Sequence, residues 1–393
     1  MRVFPKVLKA LWPALFVGAA AFAQSPTRTP ASPSYVPRML PLTKFYETPN
    51  PLPVGKPGEL IRFEPFDGYD LPSEISAFRI LYHSLSPSGE DVAVSGVVLL
   101  PEGIPPAGGW PVIAWAHDFL GSARKCAPSL LRNLNEGPLL SMYVGLGYAV
   151  VASDYAGLGT RFPNAALDTR SNALDVINAV AAARAALPQL GIRWVVVGYA
   201  QGSPVAIGVA EAVNGIDDPS YLGAIGISSL AEPEELFEQV AQGPSYSMLV
   251  LLARGIKTVY PEFRVEEILT DRGIRLYEYV SDACDASSGQ TPAAGEMLKP
   301  NWENNRYVKE FFARNTLGRK PAFGPLLLIS GDTGMRSALT TTTVARLCAQ
   351  KDHALFVKYP AFNESAVLGD SISEQVSWIR ARFADLLAPS NCP

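Results

Sequence analysis

Residues 194–213 read WVVVGYAQGSPVAIGVAEAV. A run of β-branched residues, a glycine-flanked turn and an apolar helical pattern follow one another, which predicts strand, sharp bend and helix. Such a bend lifts its middle residue above the strand end and sets the next backbone N–H at a helix N-terminus. The chemistry that uses this geometry is nucleophilic attack on an ester carbonyl. It needs a hydroxyl or thiol at the middle position, an imidazole to take the proton and a carboxylate to orient the imidazole. In Gly198-Tyr199-Ala200-Gln201-Gly202 the middle position holds Ala200, a methyl group.

Partners for such a group are scarce. The chain has 3 histidines. His83 belongs to a hairpin pattern near the N-terminus, and His353 precedes an apolar strand, at the wrong end of a parallel sheet. His117 ends PVIAWAH and is the one candidate for the pocket, although ordering its loop is the commoner duty of such a residue. Ser203 falls in the first turn of the helix, a poor place from which to attack. The 4 cysteines, Cys126, Cys284, Cys348 and Cys392, are widely spaced, with no C-x-x-C pair and no histidine at ligand spacing. That pattern argues against zinc, implies no cofactor, and in an exported chain predicts two disulfides.

The elements that position these residues follow from the rest of the sequence. Of 393 residues, 48% are hydrophobic and 18% charged, enough for one large domain with an insertion. Residues 1–23 combine Arg2, Lys6 and Lys9, a short apolar run and an Ala21-Phe22-Ala23 cleavage site, the form of a secretory leader cut after Ala23. Its removal takes the formal charge from −4 to −7, and no basic patch for nucleic acid remains. No later stretch is apolar enough to span a bilayer. The expected location is secreted or periplasmic.

Residues 24–58 are proline-rich and read as an irregular arm on the surface. Apolar alternation on both sides of Ser86-Pro87-Ser88-Gly89 predicts a hairpin. Then PVIAWAH, YAVVASDYAG, IRWVVVG, LGAIGIS and GPLLLISG read as buried strands separated by helical patterns such as RSNALDVINAVAAARAAL. This is an α/β chain with a mostly parallel sheet covered on both faces. Residues 232–319 break the rhythm with helical patterns and few strands, and read as a helical cap inserted into a core of 59–231 and 320–393.

The chain resembles the secretory lipases, fungal and bacterial members of the α/β-hydrolase superfamily that carry a large helical cap. The likeness runs from about Tyr46 to the C-terminus. It is carried in family order by RILYHSLSPSGEDVAVSGVVLLP, PVIAWAHDFLG with CAPS after it, GYAVVASDYAGLG, WVVVGYAQG and YPAFNESAVLGDSISEQVSWIRARF. In that family the bend reads close to G-Y-S-Q-G, which makes Ala200 the nucleophile position.

The family order of serine, acid and histidine implies Asp332 as the acid after GPLLLISG, in a loop shorter than the family's. It implies a histidine near the end of Y-P-G-x-x-H-S, where this chain reads Tyr359-Pro360-Ala361-Phe362-Asn363-Glu364-Ser365, so Glu364 replaces the base. Ser365 beside it has no evident partner. For the oxyanion hole the resemblance implies the Gln201 N–H together with that of Asp118 or a neighbour, where the family shows H-G. His117 and Tyr199 fall at the pocket, and the cysteines are implied to pair as Cys126 with Cys284 and Cys348 with Cys392.

Losing both the hydroxyl and the imidazole costs roughly 10⁴ to 10⁶ in rate in triad enzymes. The expected function is therefore a lipase- or esterase-like pseudoenzyme that binds an acyl, ester or other apolar ligand, or a protein partner. The alternative is an active carboxylic-ester hydrolase of triacylglycerol-lipase type, in lipid catabolism, working through a displaced site or a non-serine route. Glu364 acting as base on a water in the space above Ala200 is one such route. A third reading is a structural, envelope-associated protein with a closed pocket.

Overall fold

The computed structural model describes residues 38–216, 218–243, 246–281, 283–284, 294–360 and 366–393. The expected leader at 1–23, the first part of the arm, Glu364 and Ser365 lie outside the described residues. Nine strands form one sheet in the order β1-β2-β3-β5-β4-β6-β7-β8-β9. They are β1 (Leu60–Pro65), β2 (Ile75–Leu85), β3 (Asp91–Pro101), β4 (Trp110–Ala116), β5 (Ala149–Ser153), β6 (Leu190–Tyr199), β7 (Tyr221–Ile227), β8 (Leu326–Gly331) and β9 (Ala354–Tyr359). The first three are antiparallel, β3 pairs antiparallel with β5, and every pair from β5 through β4 to β9 is parallel. With helices on both faces, this is the α/β-hydrolase fold.

Helix α1 (Gly137–Gly145) precedes β5, α2 (Thr169–Ala186) joins β5 to β6, and α3 (Gly202–Ile216) joins β6 to β7. Between β7 and β8 lie α4 (Pro233–Val240), α5 (Tyr246–Val259), α6 (Asp271–Ser281), α7 (Ala294–Met297) and α8 (Arg306–Asn315). The C-terminal part adds α9 (Met335–Ala349), α10 (Ala366–Asp370) and α11 (Ile372–Phe383).

Period-two alternation divides the core between the two faces. In β4, Val112, Ala114 and Ala116 join the layer under α2 and α3. Ile113 and Trp115 join the layer with α1 and α11. The helices between β7 and β8 have their own cluster, centred on Phe237, Leu252, Phe263 and Phe311. The hairpin turns where Ser86 and Gly89 were expected to turn it: Gly89 has φ +87° and its N–H donates to Ser86 O at 2.9 Å.

The described part of the proline-rich arm, residues 38–58, has one short helical turn at Lys44–Tyr46, and it does not merely lie on the surface. Phe45 and Tyr46 are buried with Cys126 and Leu130. The Tyr46 hydroxyl meets the Ser129 hydroxyl at 2.9 Å, and Ser129 Oγ in turn donates to Asp154 at 2.5 Å. Both disulfides form as the family likeness implied, Cys126 with Cys284 and Cys348 with Cys392.

A second buried carboxylate, Asp175 of α2, accepts from Ser84 Oγ at 2.5 Å and from the Ala156 N–H at 2.8 Å. Burial outweighs these bonds and pushes its carboxyl up to about 7. An unfolded aspartate titrates near 4, so below that pH the group leaves stability unchanged. Between pH 4 and 7 the unfolded chain releases a proton that the folded chain retains, and stability falls by about 4 kcal/mol through this group. Urea unfolding at pH 5 and pH 8 is expected to show wild type losing ground to Asp175→Asn at the higher pH. A difference that does not change with pH would refute the assignment.

Candidate functional site

The bend after β6 is formed by backbone packed on backbone. A Cβ on Gly198 would collide with Gly202 O, and one on Gly202 would collide with Ala116 O of β4. Between them Ala200 takes φ +49°, a left-handed conformation that costs an L-residue roughly 1–2 kcal/mol. Its N–H donates to Ile227 O at 2.9 Å, which ties the bend to the end of β7. The methyl group is 0% exposed. The bend therefore has the geometry of a nucleophile elbow, with no nucleophile on it.

The N–H groups beside it converge. Gln201 N–H and Phe119 N–H both donate to Asp118 Oδ1, at 3.2 and 2.7 Å. Asp118 thus enters through its side chain, and its neighbour Phe119 supplies the second N–H. A carboxylate oxygen occupies the point that two backbone donors share, and it is itself an anion. Around it stand Glu136, Tyr199 and Arg336. Burial raises the Glu136 carboxyl, and the charge of Asp118 raises it further. Tyr199 is also raised by burial, an effect that Arg336 opposes.

Each histidine has a role elsewhere. His83 Nδ1 faces Asp91 at 2.8 Å. His353 Nε2 faces Ala388 O at 2.6 Å, and its carbonyl accepts from the N–H of Leu326, where β8 begins. His117 is buried, stacked on Tyr155 with ring centroids 4.1 Å apart. Its nitrogens face two backbone carbonyls, Asp118 O at 2.5 Å and Asp154 O at 3.2 Å. Burial lowers its pKa, an effect that the two carbonyl contacts oppose. No histidine nitrogen meets a serine hydroxyl among the described residues. Ser203 is buried with its Oγ toward Gly226 of β7. Asp332 follows β8 with an exposed side chain, its N–H donating to Tyr359 O at 2.9 Å. Asp118, Tyr199 and Gln201 therefore share one site with Ala200. Asp332 makes no hydrogen bond to that group among the described residues.

A family model matches part of the chain. The matching family is that of the secretory lipases, over residues 135–317. That span holds the elbow and the helices between β7 and β8. Solved structures of lipases and esterases share the fold. Candida antarctica lipase A in its closed state superposes with a TM-score of 0.77 at 15% identity, covering 90% of this chain and 89% of that one. A rice cell wall degrading esterase from Xanthomonas oryzae gives 0.70 at 18%, covering 84% and 99%. A hydrolase described as putative, from Legionella pneumophila, gives 0.71 at 19%, covering 84% and 100%. None of the curated protein sequences compared with the chain matches it.

The helices between β7 and β8 are fastened to α2 and α9 by two ion pairs. Arg314 of α8 reaches Asp168, the N-cap of α2, with bonds of 2.7 and 3.0 Å. Arg346 of α9 reaches Glu232, just before α4, at 2.8 Å. The space they enclose beside the elbow, between α2, α3, α4 and α8, has a volume of about 20 Å³. No helix among the described residues is long and apolar enough to cross a membrane.

Asp168 is fully buried, so removing its partner strands a charge. Arg314→Leu is expected to cost about 3 kcal/mol in a urea titration. Adding Asp168→Asn should recover part of that loss, because the amide keeps a capping oxygen for Ser171. Simple additivity of the two changes would show that the pair does not act as a unit.

Proposed function

We propose that this chain is a lipase-like α/β-hydrolase homologue that binds a neutral apolar ligand and does not hydrolyse esters. The observation that carries the proposal is the buried methyl of Ala200 at the elbow, with no hydroxyl or thiol in its place. An acyl-enzyme requires a bond from that position to the carbonyl carbon, and a methyl group makes none. The histidine inventory supports the same reading, because all 3 imidazoles are engaged elsewhere. The secretory-lipase match supports a lipid-like ligand, and the small space under the helices supports a pocket that stays closed at rest. In this reading residues 232–319 act as the cap. The leader sequence and the two disulfides support export.

The test is an active-site label. The purified mature chain treated with a fluorophosphonate is expected to show no mass increase. Its turnover of p-nitrophenyl butyrate is expected to stay within about 10³ of the uncatalysed rate, the residue that oxyanion stabilisation and binding leave in triad-deleted enzymes. Ala200→Ser with Glu364→His is the comparison. A stoichiometric adduct on the unaltered chain would overturn the reading and favour an active ester hydrolase with a displaced site.

A further inference from the structure

Asn172 of α2 and Gln201 at the start of α3 line the same closed space, beneath Leu236 and Phe237 of α4 and Phe311 of α8. Asn172 is 2% exposed and Gln201 6%. Asn172 Nδ2 and Gln201 Oε1 nevertheless have no hydrogen-bond partner. Buried polar groups are almost always paired, so two that are not, in one cavity, point to something that pairs them. The neighbouring amide does not share the problem. Asn315 accepts from the Thr169 N–H at 2.8 Å and donates to Phe311 O at 2.9 Å.

The unpaired atoms are one donor and one acceptor. A hydroxyl answers both, accepting from Asn172 Nδ2–H and donating to Gln201 Oε1. A carboxylate has no proton to give, and an ammonium has no lone pair to accept with. The charge nearby is mixed: Asp118 Oδ1 lies 3.2 Å from the Gln201 N–H nitrogen with Glu136 beside it, and Arg336 stands by Tyr199, so the hydrogen-bond pattern decides the ligand class. The remaining walls are mostly apolar and suit an alkyl chain. The volume of about 20 Å³ exceeds the roughly 10–15 Å³ that one water needs. The hydroxyl end fits as the site stands, and a chain displaces Leu236 and Phe237.

We propose that this cavity is a binding site for a neutral aliphatic alcohol, whose hydroxyl bridges Asn172 and Gln201. This deepens the non-hydrolytic reading by naming its ligand class, and it rests on that reading, since nothing at residue 200 would then convert the bound alcohol. The experiment is saturation-transfer NMR on the full mature chain with 1-hexanol and, at equal concentration, sodium hexanoate, with thermal shifts in parallel.

The alcohol is expected to bind and raise Tm, with the carboxylate at least tenfold weaker. Asn172→Leu and Gln201→Leu are each expected to weaken 1-hexanol about tenfold, the loss of one buried hydrogen bond, while keeping or raising the ligand-free Tm. Three results would each overturn the proposal: equal binding of alcohol and carboxylate, alcohol binding undiminished in both variants, or no transfer to 1-hexanol, which leaves a bound water as sole occupant. Should a variant fail to fold, the alcohol–carboxylate contrast on the unaltered chain still decides. A fluorophosphonate adduct alongside an intact contrast would retire the non-hydrolytic reading alone.

Discussion

The contact on which the site depends is the crossing of β6, α3 and β4 at Gly198 and Gly202. Both glycines are required because carbonyl oxygens lie where a Cβ would stand. This close approach sets where α3 begins and which way the Gln201 N–H faces, and it forces residue 200 into a left-handed turn. None of it depends on the side chain at residue 200. The glycines are required by packing, whereas a hydroxyl would be required only by chemistry, so the bend stands without one. An elbow with alanine at its centre is physically coherent.

With a methyl group at residue 200, the electrostatics of the site are set by the groups beside it. Two converging N–H groups form an anion site, and here the chain fills it with its own Asp118 carboxylate. Glu136 adds a second carboxylate close enough to feel the first. Tyr199 stands beside these two carboxylates and beside Arg336.

Features set by local pattern were legible in the sequence. The hairpin, the five apolar parallel strands and the elbow follow from periods of 2 and 3.6 and from glycine placement, all within short windows. The side chains that decide the site depend on segments far apart in the chain. Asp118 reaches Gln201 across 83 positions, and Arg314 reaches Asp168 across 146. No window shows that a loop aspartate turns its carboxylate, rather than its N–H, toward the bend. The Phe119 N–H leaves no trace in residue type at all. Tyr46 escaped notice for a related reason: it sits in a proline-rich arm with no periodicity, and its burial is decided by Ser129 and Asp154 on another segment.

The two ion pairs explain why the cavity is small. Asp168 and Glu232 are both largely buried carboxylates held by arginines, and removing either arginine strands a charge in a low-dielectric setting. Withdrawing α8 from α2, or α4 from α9, therefore exposes or orphans a charge as well as apolar surface. The helices over the elbow are held by interactions that fail abruptly, not gradually. An occupant of the proposed site that leaves both pairs intact must therefore make room at Leu236 and Phe237, which are buried in the cluster those helices share.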